Sequence, residues 1–235
     1  MGRKDSCRVS LTRVRVQKGT AIRIVKLGLP TGIQGMVVSL SNLLVQTSIN
    51  SFGTAAMAGF GAYMKIDGFN VLPVISLGMA ATTFTAQNIG AGKMNRVKKG
   101  IAVTIIMGII YCVCIGTLLL TFRYRVIAMF NSDPDVIKYG VAAMTYFCPF
   151  YFLLSIVHSL TGTIRGTGNT IAPMCILLFS QCLFRMLWIW FVFPHFHVIQ
   201  TIYVLYPVSW SVGVVLMSLY IVKTGLFQGR YSKAA

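Results

Sequence analysis

With 235 residues, of which 56% are hydrophobic and only 11% charged, and a mean hydropathy of +0.75, this chain lacks the charge to cover a water-facing surface, since soluble domains carry about 25% charged residues. A net charge of +17 does not restore a soluble nucleic-acid binder, because the basic residues cluster between apolar runs instead of on one folded face. Five of the six cysteines (Cys112, Cys114, Cys148, Cys175 and Cys182) lie inside apolar runs, and no CxxC or Cys/His spacing marks a disulfide framework or a metal site.

Residues 1–26 carry eight lysines and arginines. The stretch is too basic and too interrupted for a cleavable signal peptide; it reads as a cytoplasmic leader, with a basic amphipathic arm on the membrane surface as the alternative. The first apolar span is predicted over residues 27–50, approached through Gly28-Leu29-Pro30, where proline suits a first helical turn. Ser51-Phe52-Gly53-Thr54 offers a tight reversal into a second span over 54–88. At about 1.5 Å per residue this helix outruns a bilayer core and must tilt, kink or protrude; Gly68 and Pro73 offer a place for a kink. Gly90-Ala91-Gly92-Lys93 is glycine-rich, but it follows a membrane helix without phosphate-loop spacing and reads as a helix stop and turn. Further spans are predicted over 100–122, 136–162, 170–193 and 200–222, with a short tail over 223–235. Ser132-Asp133-Pro134-Asp135 is a strong helix start, with a capping side chain ahead of a first-turn proline. The fold class is therefore an all-α integral membrane bundle of six transmembrane helices.

Lysine and arginine placement sets the orientation. Sixteen of them fall in the leader, the links after the second and fourth spans, and the tail, against three (Arg123, Arg125 and Lys138) in the opposite links. That bias predicts both termini in the cytoplasm, in a multi-pass cell-membrane protein.

Polar groups within the spans are the functional candidates, because hydrocarbon leaves unpaired ones costly. Arg185 lies one turn after Gln181, on the same face of the fifth span, and needs a partner, whether a backbone carbonyl, a neighbouring helix or a cavity. Of the four acids, Asp5 is in the leader and Asp133 and Asp135 sit at a helix start, so Asp67 is the one carboxylate within the membrane. In a low-dielectric cavity it can carry protons unless a cation, Lys65 or Arg185, holds it ionised; the alternative is an interfacial Lys65–Asp67 pair. Ser39, Asn42, Gln46 and Asn50 form one stripe along the first span, suited to lining a pathway or to gluing helices. His158 reads as packed, and Tyr146 and Tyr151, with Trp188 and Trp190, as wall or belt residues. No GxSxG, HExxH, phosphate loop or paired carboxylates appear, so an enzyme is not indicated, and no cofactor is called for.

Gln87-Asn88-Ile89-Gly90-Ala91-Gly92-Lys93, followed by Arg96-Val97-Lys98-Lys99, resembles the loop after the second helix of each lobe of multidrug and toxic compound extrusion (MATE) transporters. So do Leu29-Pro30, Lys65-Ile66-Asp67 with Leu72-Pro73, and Phe130-Asn131-Ser132-Asp133-Pro134-Asp135-Val136-Ile137. Arg165-Gly166-Thr167-Gly168-Asn169-Thr170 is similar to the family's Arg-Gly-x-Gly-Asp-Thr turn, with asparagine in place of aspartate. Order and spacing match the second six-helix lobe of a twelve-helix transporter.

The resemblance implies a cation-coupled antiporter, driven by H+ or Na+, that exports organic and often cationic compounds through a cleft between two lobes. Its polar contacts in this chain would be Asn42, Gln46, Lys65, Asp67, Tyr146, Gln181 and Arg185. Two departures stand out. One lobe only is represented, and the spans matching helices seven and ten, 27–50 and 136–162, lack a membrane-embedded acid. Lys65-Ile66-Asp67 matches a helix-eight motif of a bacterial subgroup that faces the cleft. A single lobe is expected to be a truncated or split product with a leader derived from the inter-lobe link, or a half that pairs with itself or with a separate lobe. Two other readings stay open: a lipid-linked sugar or polysaccharide flippase of the same superfamily, whose cavity would be dominated by cations, and a membrane interaction subunit that transports nothing.

Overall fold

The computed structural model describes residues 17–225; most of the basic leader and most of the tail lie outside them. Among the described residues, six helices are long and apolar enough to cross a membrane: Lys18–Asn50, Thr54–Gly90, Met94–Thr121, Pro134–Gly166, Ile171–Val192 and Ile199–Lys223. No strand occurs among the described residues. Apolar side chains face outward throughout, with Phe69 78% and Met36 75% exposed. Such a surface is stable against lipid and not against water. The protein is a multi-pass membrane protein.

The helix ends follow local chemistry. Gly53 (φ +94°) and Gly92 (φ +68°) make the reversals that bound the second span, in a backbone conformation that glycine adopts freely. The Asp133 carboxylate accepts the backbone N–H of Asp135 at 2.9 Å, with Pro134 in the first turn, so the fourth span starts where its sequence specifies. A short helix over Arg123–Ala128 fills the link before it. The first helix begins at Lys18, inside the stretch read as leader. The asparagine that departs from the family's turn has its own use: Asn169 Oδ1 accepts the Ala172 N–H at 3.1 Å and its Nδ2 donates to the Tyr220 hydroxyl at 2.9 Å. An aspartate there would keep the first bond and would meet Tyr220 as an acceptor of its hydroxyl hydrogen instead of as a donor.

The second and fourth spans form the centre, and glycines set how closely they approach. A Cβ on Gly78 would stand 2.9 Å from the His158 carbonyl oxygen, one on Gly166 2.6 Å from that of Thr82, and one on Gly162 would overlap the Gly78 carbonyl. Small residues at such contacts let membrane helices pack backbone to backbone. The third and sixth spans flank this pair, and the first and fifth close the remaining side.

Two spans depart from regular winding. A 3-10 turn at Cys148–Phe150, carrying Pro149, divides the fourth span. Three residues wound at 3.0 per turn advance the helix face by about 60° relative to 3.6 per turn. The fifth span contains two π-helical segments, Phe179–Leu183 and Trp188–Val192. Ser41 donates to the Gln181 carbonyl at 2.8 Å beside the first of these wide turns, tying the first span to the fifth.

Gly162→Val is expected to destabilise the bundle by about 1–3 kcal/mol through overpacking, read as a lowered thermal unfolding midpoint in detergent. Gly61→Ala, whose Cβ meets nothing within 4 Å, should leave that midpoint unchanged or raise it slightly, since alanine favours a helix interior over glycine.

Candidate functional site

Five of the six spans surround a cavity of about 400 Å³. Each contributes residues spaced about four apart, the mark of one helix face turned inward: Gln34, Val38 and Asn42 from the first, Tyr63, Asp67, Val71 and Ile75 from the second, Leu177, Gln181 and Arg185 from the fifth, Tyr206 and Trp210 from the sixth. The fourth adds Phe147, Leu154, Val157 and His158. The volume suits a small organic molecule, and the mainly apolar and aromatic wall with a few placed polar groups fits that use.

Asp67 stands on this wall. Its Oδ1 accepts hydroxyl hydrogen bonds from Tyr151 at 2.7 Å and Tyr63 at 3.1 Å, and the two hydroxyls are 2.9 Å apart. Tyr63 sits one turn before Asp67 on the same face, while Tyr151 arrives from the fourth span immediately after its 3-10 turn. No cation bonds the carboxylate among the described residues.

The Arg185 side chain, 2% exposed, forms a second polar cluster. Its Nε donates to Ser209 Oγ at 3.1 Å, its Nη1 to Asn42 Oδ1 at 2.8 Å, and its plane lies over the Tyr206 ring, 4.3 Å from the centroid. Ser209 in turn donates to the Tyr206 carbonyl at 2.8 Å. These partners are all neutral. An aromatic series joins the two clusters, with Phe147 stacked on Tyr63 at 4.8 Å and edge-on to Tyr206 at 4.8 Å. At one end of the cavity, Arg165 Nη2 donates to Gln34 Oε1 at 2.7 Å.

Of the seven residues selected from the sequence, Asn42, Asp67, Gln181 and Arg185 line the cavity, and Asn42 and Arg185 bond each other. Three do not line it. Lys65 is exposed, with its Nζ 5.8 Å from the centre of the Phe130 ring. Residues two apart on a helix face different ways, so Lys65 does not reach Asp67, and Arg185 is held by Asn42 and Ser209 instead. Gln46 lies one turn past the cavity and donates to Asn50 along its own helix at 3.0 Å. Tyr146 packs against Tyr203 while its neighbour Phe147 takes the lining position. His158, read as packed, lines the cavity, as does Trp210. Tyr63 is the one overlooked residue that spacing signals, because it stands at i−4 from Asp67; Tyr151, read as a wall or belt residue, instead bonds Asp67, and nothing local marks Ser209 or Tyr206.

Comparison with known proteins gives a consistent result. The family model MatE matches residues 30–191. The Bacillus subtilis (strain 168) protein named "Probable multidrug resistance protein YoeA" is 25% identical over 213 residues, covering 87% of this chain and 44% of its own length. "Probable multidrug resistance protein YpnP" of the same organism is 29% identical over 162 residues, 69% of this chain and 36% of its own. A crystal structure of a variant of the Vibrio cholerae MATE transporter VcmN superposes with a TM-score of 0.81 at 18% identity, over 88% of this chain and 48% of that one. The chain thus spans less than half the length of these relatives.

Asn42→Leu is expected to lower stability by about 1–3 kcal/mol, because it leaves a buried charged donor without its partner. Gln46→Leu, one turn along the same stripe, should stay within about 0.5 kcal/mol. Thermal unfolding of both variants in the same detergent makes the comparison.

Proposed function

The chain belongs to the MatE family of multidrug and toxic compound extrusion transporters, and on that footing we propose that it is the second six-helix lobe of a cation-coupled exporter of small organic compounds in the cell membrane. The observation that carries this reading is Asp67, the one membrane-embedded acid of the described spans, held on the cavity wall by two tyrosine hydroxyls and by no cation. Its partners, compounds and orientation follow from the same reading: both termini in the cytoplasm, cargo in the aromatic cavity, and a second lobe, or a second copy of this chain, closing the open side.

Counting hydrogens supports Asp67 as a proton carrier. Three oxygens make three contacts, between Asp67 Oδ1 and each tyrosine and between the tyrosines. With the carboxylate ionised, the two hydroxyls supply two hydrogens for three contacts. When Asp67 takes up a proton, a third hydrogen completes the ring: the carboxyl donates to one tyrosine, that tyrosine to the other, and the second back to Oδ1. The two protonation states therefore differ in how they tie the second span to the fourth. A difference of that kind, biased by the proton on one side of the membrane and by cargo on the other, is what alternating access requires. Among the residues of the cluster, Asp67 holds the proton, Tyr63 and Tyr151 orient it, and the Phe147–Tyr206 wall keeps cargo beside it.

Efflux in everted vesicles, driven in turn by imposed pH and sodium gradients, tests the coupling. Asp67→Asn is expected to abolish the pH-driven component, and Tyr151→Phe to reduce it about tenfold, the scale of one hydrogen bond to a charged group. Undiminished pH-driven efflux with Asp67→Asn removes Asp67 from the mechanism. The orientation has its own check: trypsin is expected to cut within residues 93–99 in sealed inside-out vesicles and to spare them in right-side-out ones.

A further inference from the structure

The second charged group of the cavity asks for a ligand that the chain does not supply. Arg185 offers five N–H hydrogens. Two are taken, by Ser209 and Asn42, and one face is covered by Tyr206. The other three have no partner among the described residues, although the residue is 2% exposed and lines the cavity. Within this chain, an acid that answered this charge would have to be one of four. Asp5 precedes the described residues, Asp133 and Asp135 sit at the start of the fourth span, and Asp67 is bonded to two tyrosines. The anchors also fix the guanidinium rigidly: Asn42, Ser209 and Tyr206 come from two different spans, so the free edge of the fork is held in one direction.

We propose that this cavity selects amphipathic organic acids whose carboxylate docks on the free edge of Arg185 while their ring system lies on the Phe147–Tyr206–Trp210 wall. The inference rests on the cavity being the cargo site of the exporter. A planar guanidinium presents parallel N–H groups that match the two oxygens of a carboxylate, and inside a protein such a pair is strengthened by the low surrounding dielectric. A simple organic cation would instead stand beside an unanswered positive charge. A pyrophosphate would need several cations, whereas Lys65 is exposed outside the lining and Arg165 is bonded to Gln34 at one end of the cavity without lining it. One fixed arginine in about 400 Å³ matches a single carboxylate on a drug-sized body.

A matched probe series tests this with the full chain in lipid nanodiscs, read as energy transfer from tryptophan and corrected with empty nanodiscs. The probes are 1-pyrenebutyrate, its methyl ester, pyrenebutyl phosphate and pyrenebutyl-trimethylammonium. The carboxylate is expected to bind about tenfold or more tightly than the ester and the cation, the scale of a hydrogen-bonded ionic contact. Arg185→Gln should abolish that preference while leaving the ester's Kd within about twofold, and Arg185→Lys should keep part of it. Ester binding reports that the variant's cavity is intact; should Arg185→Gln fail to fold, the ranking of probes on the natural chain decides. A cation binding as tightly as the carboxylate, a phosphate binding about tenfold more tightly than it, or a preference that survives Arg185→Gln overturns this inference and leaves the exporter reading standing. Saturable binding of none of the four overturns both.

Discussion

Hydrocarbon offers no hydrogen bonds, so a charged group carried into the membrane is costly unless the protein or something bound to it answers that group. That constraint organises this lobe. Backbone groups are answered within helices, and the two charged side chains on the cavity wall are held by neutral groups, most of them from neighbouring helices. Asp67 takes two tyrosine hydroxyls, and Arg185 takes a serine, an asparagine and an aromatic face. Neither charge neutralises the other. They remain separate, on one wall, joined by Phe147. A mutual salt bridge would have satisfied both and left the cavity electrostatically closed; their separation keeps two opposite charges addressable by a small molecule or ion.

The arrangement depends on departures from ideal helix geometry as much as on side chains. Glycines along the second and fourth spans let the backbones meet at carbonyl distance, which brings Tyr151 close enough to share Asp67 with Tyr63. The 3-10 turn at Cys148–Phe150 rotates the following helix face. The wide turns of the fifth span loosen its backbone where Ser41 docks on the Gln181 carbonyl, one turn ahead of Arg185. π-helical turns recur at functional positions because they re-aim a side chain without ending the helix, and Arg185 follows one directly.

Much of this was legible in the residues. The spans could be counted because a stretch of apolar residues long enough to cross a bilayer has few other destinations. Asp67 and Arg185 stood out for the same reason: a charge in such a stretch is expensive. Their partners were not legible. The expectation that Lys65 or Arg185 would answer Asp67 assumed that charges pair with charges. Lys65 points away because residues two apart diverge around a helix. Gln46 shares a face with Asn42 but lies beyond the cavity's end, and Tyr146 gives the lining position to Phe147 because adjacent residues are about 100° apart around the axis. Ser41, absent from the polar stripe of the first span, makes the buried tie to the fifth.

The sequence by itself determined the membrane setting, the six helices, the glycine turns, the Asp133 cap and the identity of the two interior charges, since each follows from local composition or from spacing within one helix. The tertiary structure alone decided which groups hold those charges, that these groups are neutral, and that both charges line one cavity without pairing. The reason is physical: spacing fixes which residues share a face of one helix, whereas partners on different helices are chosen by how closely and at what rotation the helices pack, and that is set by backbone contacts and irregular turns distributed along the whole chain.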